Sequence, residues 1–135
     1  MLLEKDAETI LMMKDEDILD QAESFAHLLH NSSEFQAFLN AQQAMGRDSD
    51  AQRAIRDFQQ MQQKAQQARF FGGLKPDEMD RLRYLQKTVL ETPAVKKFVQ
   101  AQEQLVGFFQ ELAGIISETI EMDYSAACAP AGGCC

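Results

Sequence analysis

Residues 92–135 read TPAVKKFVQAQEQLVGFFQELAGIISETIEMDYSAACAPAGGCC, a long amphipathic run followed by a tail that holds all three cysteines of the chain. Apolar side chains recur at Val95, Phe98, Val99, Leu105, Val106, Phe109, Leu112, Ala113, Ile116 and Ile120. Steps of three and four are the period of one helix face. Thr92 suits an N-cap, and Pro93 suits the first helical position, where a missing N–H costs nothing. The spacing predicts a helix of about 30 residues, roughly 45 Å at 1.5 Å per residue. A helix that long, followed by a small-residue tail, points to two separable roles: architecture, and metal or redox chemistry.

Working outward, the same helical grammar repeats. Ile18, Ala22, Phe25, Ala26 and Leu29 predict a first helix over about residues 17–30, broken by Asn31-Ser32-Ser33. Ser33 and Gln36 have capping-box spacing, so a second helix is expected from Glu34, burying Phe35, Phe38, Leu39, Gln42 and Met45 and ending at Gly46. A third, capped by Asp48 or Ser49, carries the narrow stripe Ala51, Ile55, Phe58, Met61, Gln62, Ala65 and Ala68, more like a coiled-coil seam than a wide core face. It stops at Gly72-Gly73. Pro76 opens a fourth, with Asp77 and Glu78 in its first turn and Met79, Leu82, Leu85 and Val89 buried. Phe38-Leu39-Asn40-Ala41-Gln42 is weakly echoed by Phe98-Val99-Gln100-Ala101-Gln102. Residues 1–16 read as a loosely packed arm, either a short strand or a helical lead-in. No strand pattern bounded by turns occurs elsewhere. The expected fold is all-α: about five helices in an antiparallel bundle, with short connections making neighbours antiparallel. The expected organisation is an arm over residues 1–16, a helical domain over 17–123, and a flexible Cys/Gly/Ala tail over 124–135.

The totals bound the function. A chain of 135 residues, 45% hydrophobic and 25% charged, has the composition of one globular domain. No apolar run reaches the roughly 18–20 residues of a membrane span. The N-terminus lacks the basic region of a secretory signal, so a cytoplasmic location is expected, where cysteines serve as thiols or ligands rather than disulfides. Net charge is −8 but uneven: residues 47–97 carry seven acids against eleven Lys or Arg, whereas residues 98–135 carry five acids and no base. The middle is either a solvated helix surface or a basic face for an acidic partner or RNA, centred on Arg53, Arg56, Lys64 and Arg69.

Several clusters are candidates for chemistry. Cys128, Cys134 and Cys135 are soft ligands suited to zinc or an iron–sulfur cluster. Either needs four donors, so a partner, a second copy or a non-cysteine residue must supply the fourth. The opposing reading is an end with reactive thiols and no site. His27 and His30, three apart, fit a surface or capping role better than a metal site that nothing completes. Asp15-Glu16-Asp17 reads as a solvated run that favours a helix N-terminus. No catalytic triad order, phosphate loop or dinucleotide fingerprint is present. The Phe70-Phe71 and Phe108-Phe109 pairs place rings on opposite sides of their helices. Phe70 or Phe71, and Phe108, are therefore candidates for a subunit interface.

Two patterns carry a family resemblance. One is Asp50-Ala51, Ile55, Phe58 and Gln62; the other is Leu90, Pro93, Val95, Phe98 and Ala101. In order and distance they resemble the YlbF/YmcA family of small bacterial helical regulators, and the Cys-Ala-Pro-Ala-Gly-Gly-Cys-Cys tail is similar to that of its YlbF branch. The resemblance implies a non-enzymatic regulatory adaptor working in a complex with YmcA- and YaaT-like proteins. It implies roles in competence, sporulation and biofilm formation and, indirectly, in mRNA processing by the endoribonuclease RNase Y. It also implies a 4Fe-4S cluster shared with a partner or second subunit, to which Cys128, Cys134 and Cys135 would contribute. The alternative is a cluster-free helical scaffold. The thin third stripe and the long fifth one predict a dimer or a heteromeric assembly in either case.

Overall fold

The computed structural model describes the backbone of residues 2–129 and the side chains of residues 15–129. Among these residues the chain forms six α-helices, one 3₁₀ turn and no strand: α1 (Leu2–His30), α2 (Ser33–Arg47), α3 (Ser49–Ala68), the turn Arg69–Phe71, α4 (Pro76–Glu91), α5 (Pro93–Ile120) and α6 (Tyr124–Cys128). The all-α expectation holds. The chain divides into two compact units, Met1–Gln36 and Ala37–Cys135.

In the first unit, the backbone takes the helical lead-in rather than a strand, with α1 already running from Leu2. Asp15-Glu16-Asp17 therefore lies inside a helix and not at its N-terminus. Ile18, Leu19 and Leu28 are exposed, and Leu29 is half-buried. The link to α2 departs from the expected capping box. Ser32, not Ser33, caps the helix: its Oγ accepts the Phe35 N–H at 3.2 Å. The Gln36 side chain instead donates to the His30 carbonyl at 2.6 Å, closing off α1.

In the second unit each turn has an identifiable cause. Gly46 does not stop α2, which continues to Arg47. The stop comes from Asp48, whose extended backbone and carboxylate cap α3 by accepting the Ala51 N–H at 2.8 Å. Gln52 Nε2 reaches back across this turn to the Met45 carbonyl at 3.0 Å. At its far end α3 tightens into the 3₁₀ turn, then reverses through Gly72 and Gly73, with φ of 93° and 92°. The Gly73 N–H donates to the Ala68 carbonyl at 2.7 Å. In α4, Glu78 accepts the Lys75 N–H at 3.2 Å. A single residue, Thr92, separates α4 from α5. It stands at the N-cap position, but its hydroxyl donates to the Thr88 carbonyl at 2.8 Å, so its side chain finishes α4 instead of capping α5.

The core is small. Ala51, Leu85, Val95, Ala101 and Leu105 are buried, at 0–7% exposure. α3 and α4 pack closely and α5 touches both. Ala51 and Ala101 provide little bulk, and such residues permit close helix approach. Phe38 and Phe98, the equivalent positions of the weak sequence echo, meet with ring centroids 5.5 Å apart. All buried residues of α5 lie at or before Leu105.

Candidate functional site

Residues 121–129 form a turn and a short helix at the start of the stretch read as a tail. α5 ends at Glu121, a non-glycine residue in the left-handed region (φ 56°), and the Met122 N–H bonds back to the Ser117 carbonyl at 3.1 Å. Asp123 then caps α6, accepting the Ala126 N–H at 3.2 Å. The Tyr124 N–H donates to Ser117 Oγ at 3.0 Å, which ties α6 to α5. The sequence signal for α6 was the Asp123 cap, the residue just before the stretch read as a tail. Between the two helices lies a groove of about 330 Å³ lined by Val106, Phe109, Gln110, Ala113, Tyr124 and Ser125.

Cys128 is the last residue of α6 and its thiol is exposed. Cys134 and Cys135 lie outside the described residues. No group of three or more His, Cys, Asp or Glu side chains among the described residues could hold a metal ion. Cys128 therefore has no metal-holding cluster around it among the described residues. His27 and His30 occupy the last turn of α1, where a positive charge is favourable. The His30 ring lies 5.3 Å from that of Phe35.

The basic quartet is not a continuous cationic face. Arg53, Arg56 and Arg69 are exposed, but Lys64 is engaged, with Nζ 2.8 Å from Glu78 Oε1. That hydrogen bond raises the lysine pKa and is the main cause holding the Glu78 carboxyl below its usual range; the Lys75 N–H lowers it further. The hollow beside this pair is chemically mixed, with Asp57 and Arg81 both on its wall.

Apolar exposure is the pronounced feature of the second unit. Phe70 and Phe71 are 86% and 89% exposed, so both rings of this pair face solvent where one was expected to. In the other pair the assignment reverses: Phe108 is half-buried and Phe109 is the more open ring, their centroids 6.4 Å apart. Beyond Leu105, α5 exposes Val106, Phe109 and Ile120 along one side and Ile115 on the other, and Met122 and Tyr124 after it are exposed as well. Among the described residues no helix is long and apolar enough to cross a membrane.

Residues 18–121 match the sequence model of the family described as "Control of competence regulator ComK, YlbF/YmcA". The chain belongs to the YlbF/YmcA family. Two UPF0342 proteins of Desulfitobacterium hafniense are similar to it. One is 29% identical over 120 residues, covering 88% of this chain and 87% of that protein. The other is 27% identical over 104 residues, covering 76% and 84%. In fold, the chain is similar to a protein in the crystal structure of Bacillus subtilis RicA in complex with RicF. The TM-score is 0.72 at 19% identity, covering 78% of this chain and 94% of that one. Mapped onto the structure, the family pattern is largely architectural. Ala51, Val95 and Ala101 are buried, Ile55, Phe58 and Phe98 are half-buried, and Pro93 opens α5. These positions close the three-helix core, whereas the exposed apolar surface lies mostly outside them.

Proposed function

We propose that this YlbF/YmcA-family chain is a non-enzymatic, cytoplasmic regulatory adaptor that acts by assembling with other proteins. The observation that carries this reading is the apolar surface of α5 beyond Leu105, continued by Met122 and Tyr124, which the chain's own core leaves open. Apolar surface rimmed by polar residues is characteristic of protein interaction sites. Family membership supports a role in competence control. The finer reading is a complex with YmcA- and YaaT-like proteins that also acts in sporulation, biofilm formation and RNase Y-dependent mRNA processing. In that complex Cys128, Cys134 and Cys135 supply three thiolates of a 4Fe-4S cluster and a partner supplies the remaining donor.

Co-expression with the YmcA- and YaaT-like proteins of the same cell, followed by anaerobic purification, tests both levels. The expected result is a stable complex, lost on Phe109→Glu. Iron and sulfide should fall on Cys128→Ser while the helical content is unchanged. A chain that captures neither protein overturns the adaptor reading. The second reading is a cluster-free scaffold, which needs only the exposed apolar surface and no cysteine. Deleting residues 125–135 separates the two, since a scaffold keeps its partners without the cysteines.

A further inference from the structure

Every described side chain of α1 is exposed except Leu29, which is half-buried. Helices in proteins draw most of their stability from packing one face, and α1 has such a face. At about 100° per residue, Ile18, Ala22, Phe25 and Leu29 fall within one narrow stripe. Leu19 and Ala26 widen it on one side and Leu28 on the other, so the apolar face spans about half the circumference. Gln21 is the one polar side chain inside it after Ile18, and Asp15 stands at its N-terminal end. The charges on this helix have one sign. From Asp15 to His30 there are Asp15, Glu16, Asp17, Asp20 and Glu23, with no Lys or Arg. Glu16 and Glu23 border the apolar face beside Leu19 and Ala26, Asp17 borders it beside Leu28, and Asp20 lies on the opposite side. In the preceding sequence Glu4, Asp6 and Glu8 outnumber Lys5 and Lys14, so the acidic excess persists along α1.

Width and charge together select the cover. A second α1 laid along this face would set acidic border against acidic border. An anionic lipid surface would repel it, because helices that lie on membranes carry Lys and Arg on the polar face. A face of half the circumference is also wider than the seam between two paired helices. It fits a groove between two helices, a mode of recognition anchored by apolar residues at steps such as Ile18, Ala22 and Phe25. We propose that α1 docks into an apolar groove between two helices of a different protein, whose Lys or Arg rims meet Glu16 and Glu23 on one side and Asp17 on the other. The proposal extends the assembly reading above from α5 to a second surface.

Photocrosslinking of the full chain in its native cell tests this, with a photoreactive benzoylphenylalanine replacing Phe25 and the captured peptides sequenced. The expected capture is a segment of another protein with apolar helical period flanked by Lys or Arg. Glu16→Lys with Glu23→Lys reverses one border and leaves the apolar face intact, so it should cut that capture roughly tenfold. Asp20→Lys, on the opposite side of the helix, should change it by less than about twofold, because an exposed charge away from the contact is screened. Circular dichroism confirms that each variant keeps its helicity. Capture of lipid, of a second copy or of an acidic segment overturns the proposal. So does the absence of any capture, or an equal loss in the two charge variants. Retention of YmcA- and YaaT-like proteins is read separately through Phe109→Glu, so the α1 docking and the adaptor reading can each fail while the other stands.

Discussion

Asp48 and Thr92 stand at comparable places, each the single residue between two helices, yet only one of them caps the helix that follows. Asp48 Oδ1 accepts the Ala51 N–H, whereas the Thr92 hydroxyl turns back to Thr88. A carboxylate can only accept, so it serves the next helix's donors, while a hydroxyl can also donate and finds the previous helix's carbonyl within reach. The sequence told which residues interrupt the helices but not which way a hydroxyl would face. The same ambiguity put the second cap at Ser33 instead of Ser32. Asp48→Ala should lower stability by about 1 kcal/mol, read as a lower denaturation midpoint. Thr92→Val should cost less, since α5 does not depend on that hydroxyl. Glu78 makes a pH-dependent prediction. Its lowered pKa contributes stability that is present above the ordinary carboxyl value of 4.5 and lost as pH falls through the lowered value of the folded state. Lys64, with its pKa raised from 10.5, contributes stability present below that value and lost as pH rises through the raised one. Glu78→Gln should therefore lower the melting temperature at neutral pH and flatten its dependence at both extremes. The pair is solvent-facing, so the effect should shrink in high salt. A variant whose melting temperature falls in acid as steeply as wild type's would show that the pair contributes nothing.

At the scale of elements, helix existence was legible and helix ends were only partly so. The period of apolar residues persists through a whole helix, whereas an end depends on one or two hydrogen bonds. Two glycines show the difference. Gly72 adopts φ of 93° and reverses the chain after Phe71, as its place before Pro76 suggested. Gly46 sits inside α2 and has no positive φ, because Asp48 supplies the stop two residues later. Alanine should move stability in opposite directions at these positions. Gly72→Ala forces a side chain into left-handed backbone and should destabilise by about 1–2 kcal/mol. Gly46→Ala, where a Cβ meets nothing within 4 Å, should stabilise by about 0.5–1 kcal/mol through the helix preference for alanine. Equal shifts at the two sites in chemical denaturation would refute this assignment of the turn. α6 escaped sequence reading for a related reason: five residues hold no full apolar period. It is defined by the Asp123 cap and the Ser117 link.

For the whole molecule, what a sequence could reveal of function depended on where the apolar residues were surplus. The surplus of α5 and the paired phenylalanines were visible in the residue pattern. Which ring of each pair faces outward required the packing: Phe108 is half-buried and Phe109 is the more open, and both Phe70 and Phe71 are exposed on the tighter turn that ends α3. The cysteines suggested ligation by chemistry alone, and Cys128 ends α6 with no metal-holding cluster among the described residues. This distribution bears on stability as well as recognition. Of the large apolar side chains of the second unit, only Leu85, Val95 and Leu105 are buried, while Phe70, Phe71, Val106, Phe109, Ile115 and Ile120 are open to solvent. A chain that completes its burial by association is stabilised by its own concentration, because the partner binds the folded state and not the unfolded one. The melting temperature of wild type should rise by about 2–4 °C for each tenfold increase in concentration. The Phe70→Ser, Phe71→Ser variant removes surface that the monomer does not bury, so its melting temperature should be the same at every concentration and match wild type at high dilution. Calorimetry across a hundredfold dilution separates the cases. Identical concentration dependence in wild type and variant would mean that Phe70 and Phe71 contribute nothing to assembly, and the long apolar face of α5 would then need a different cover.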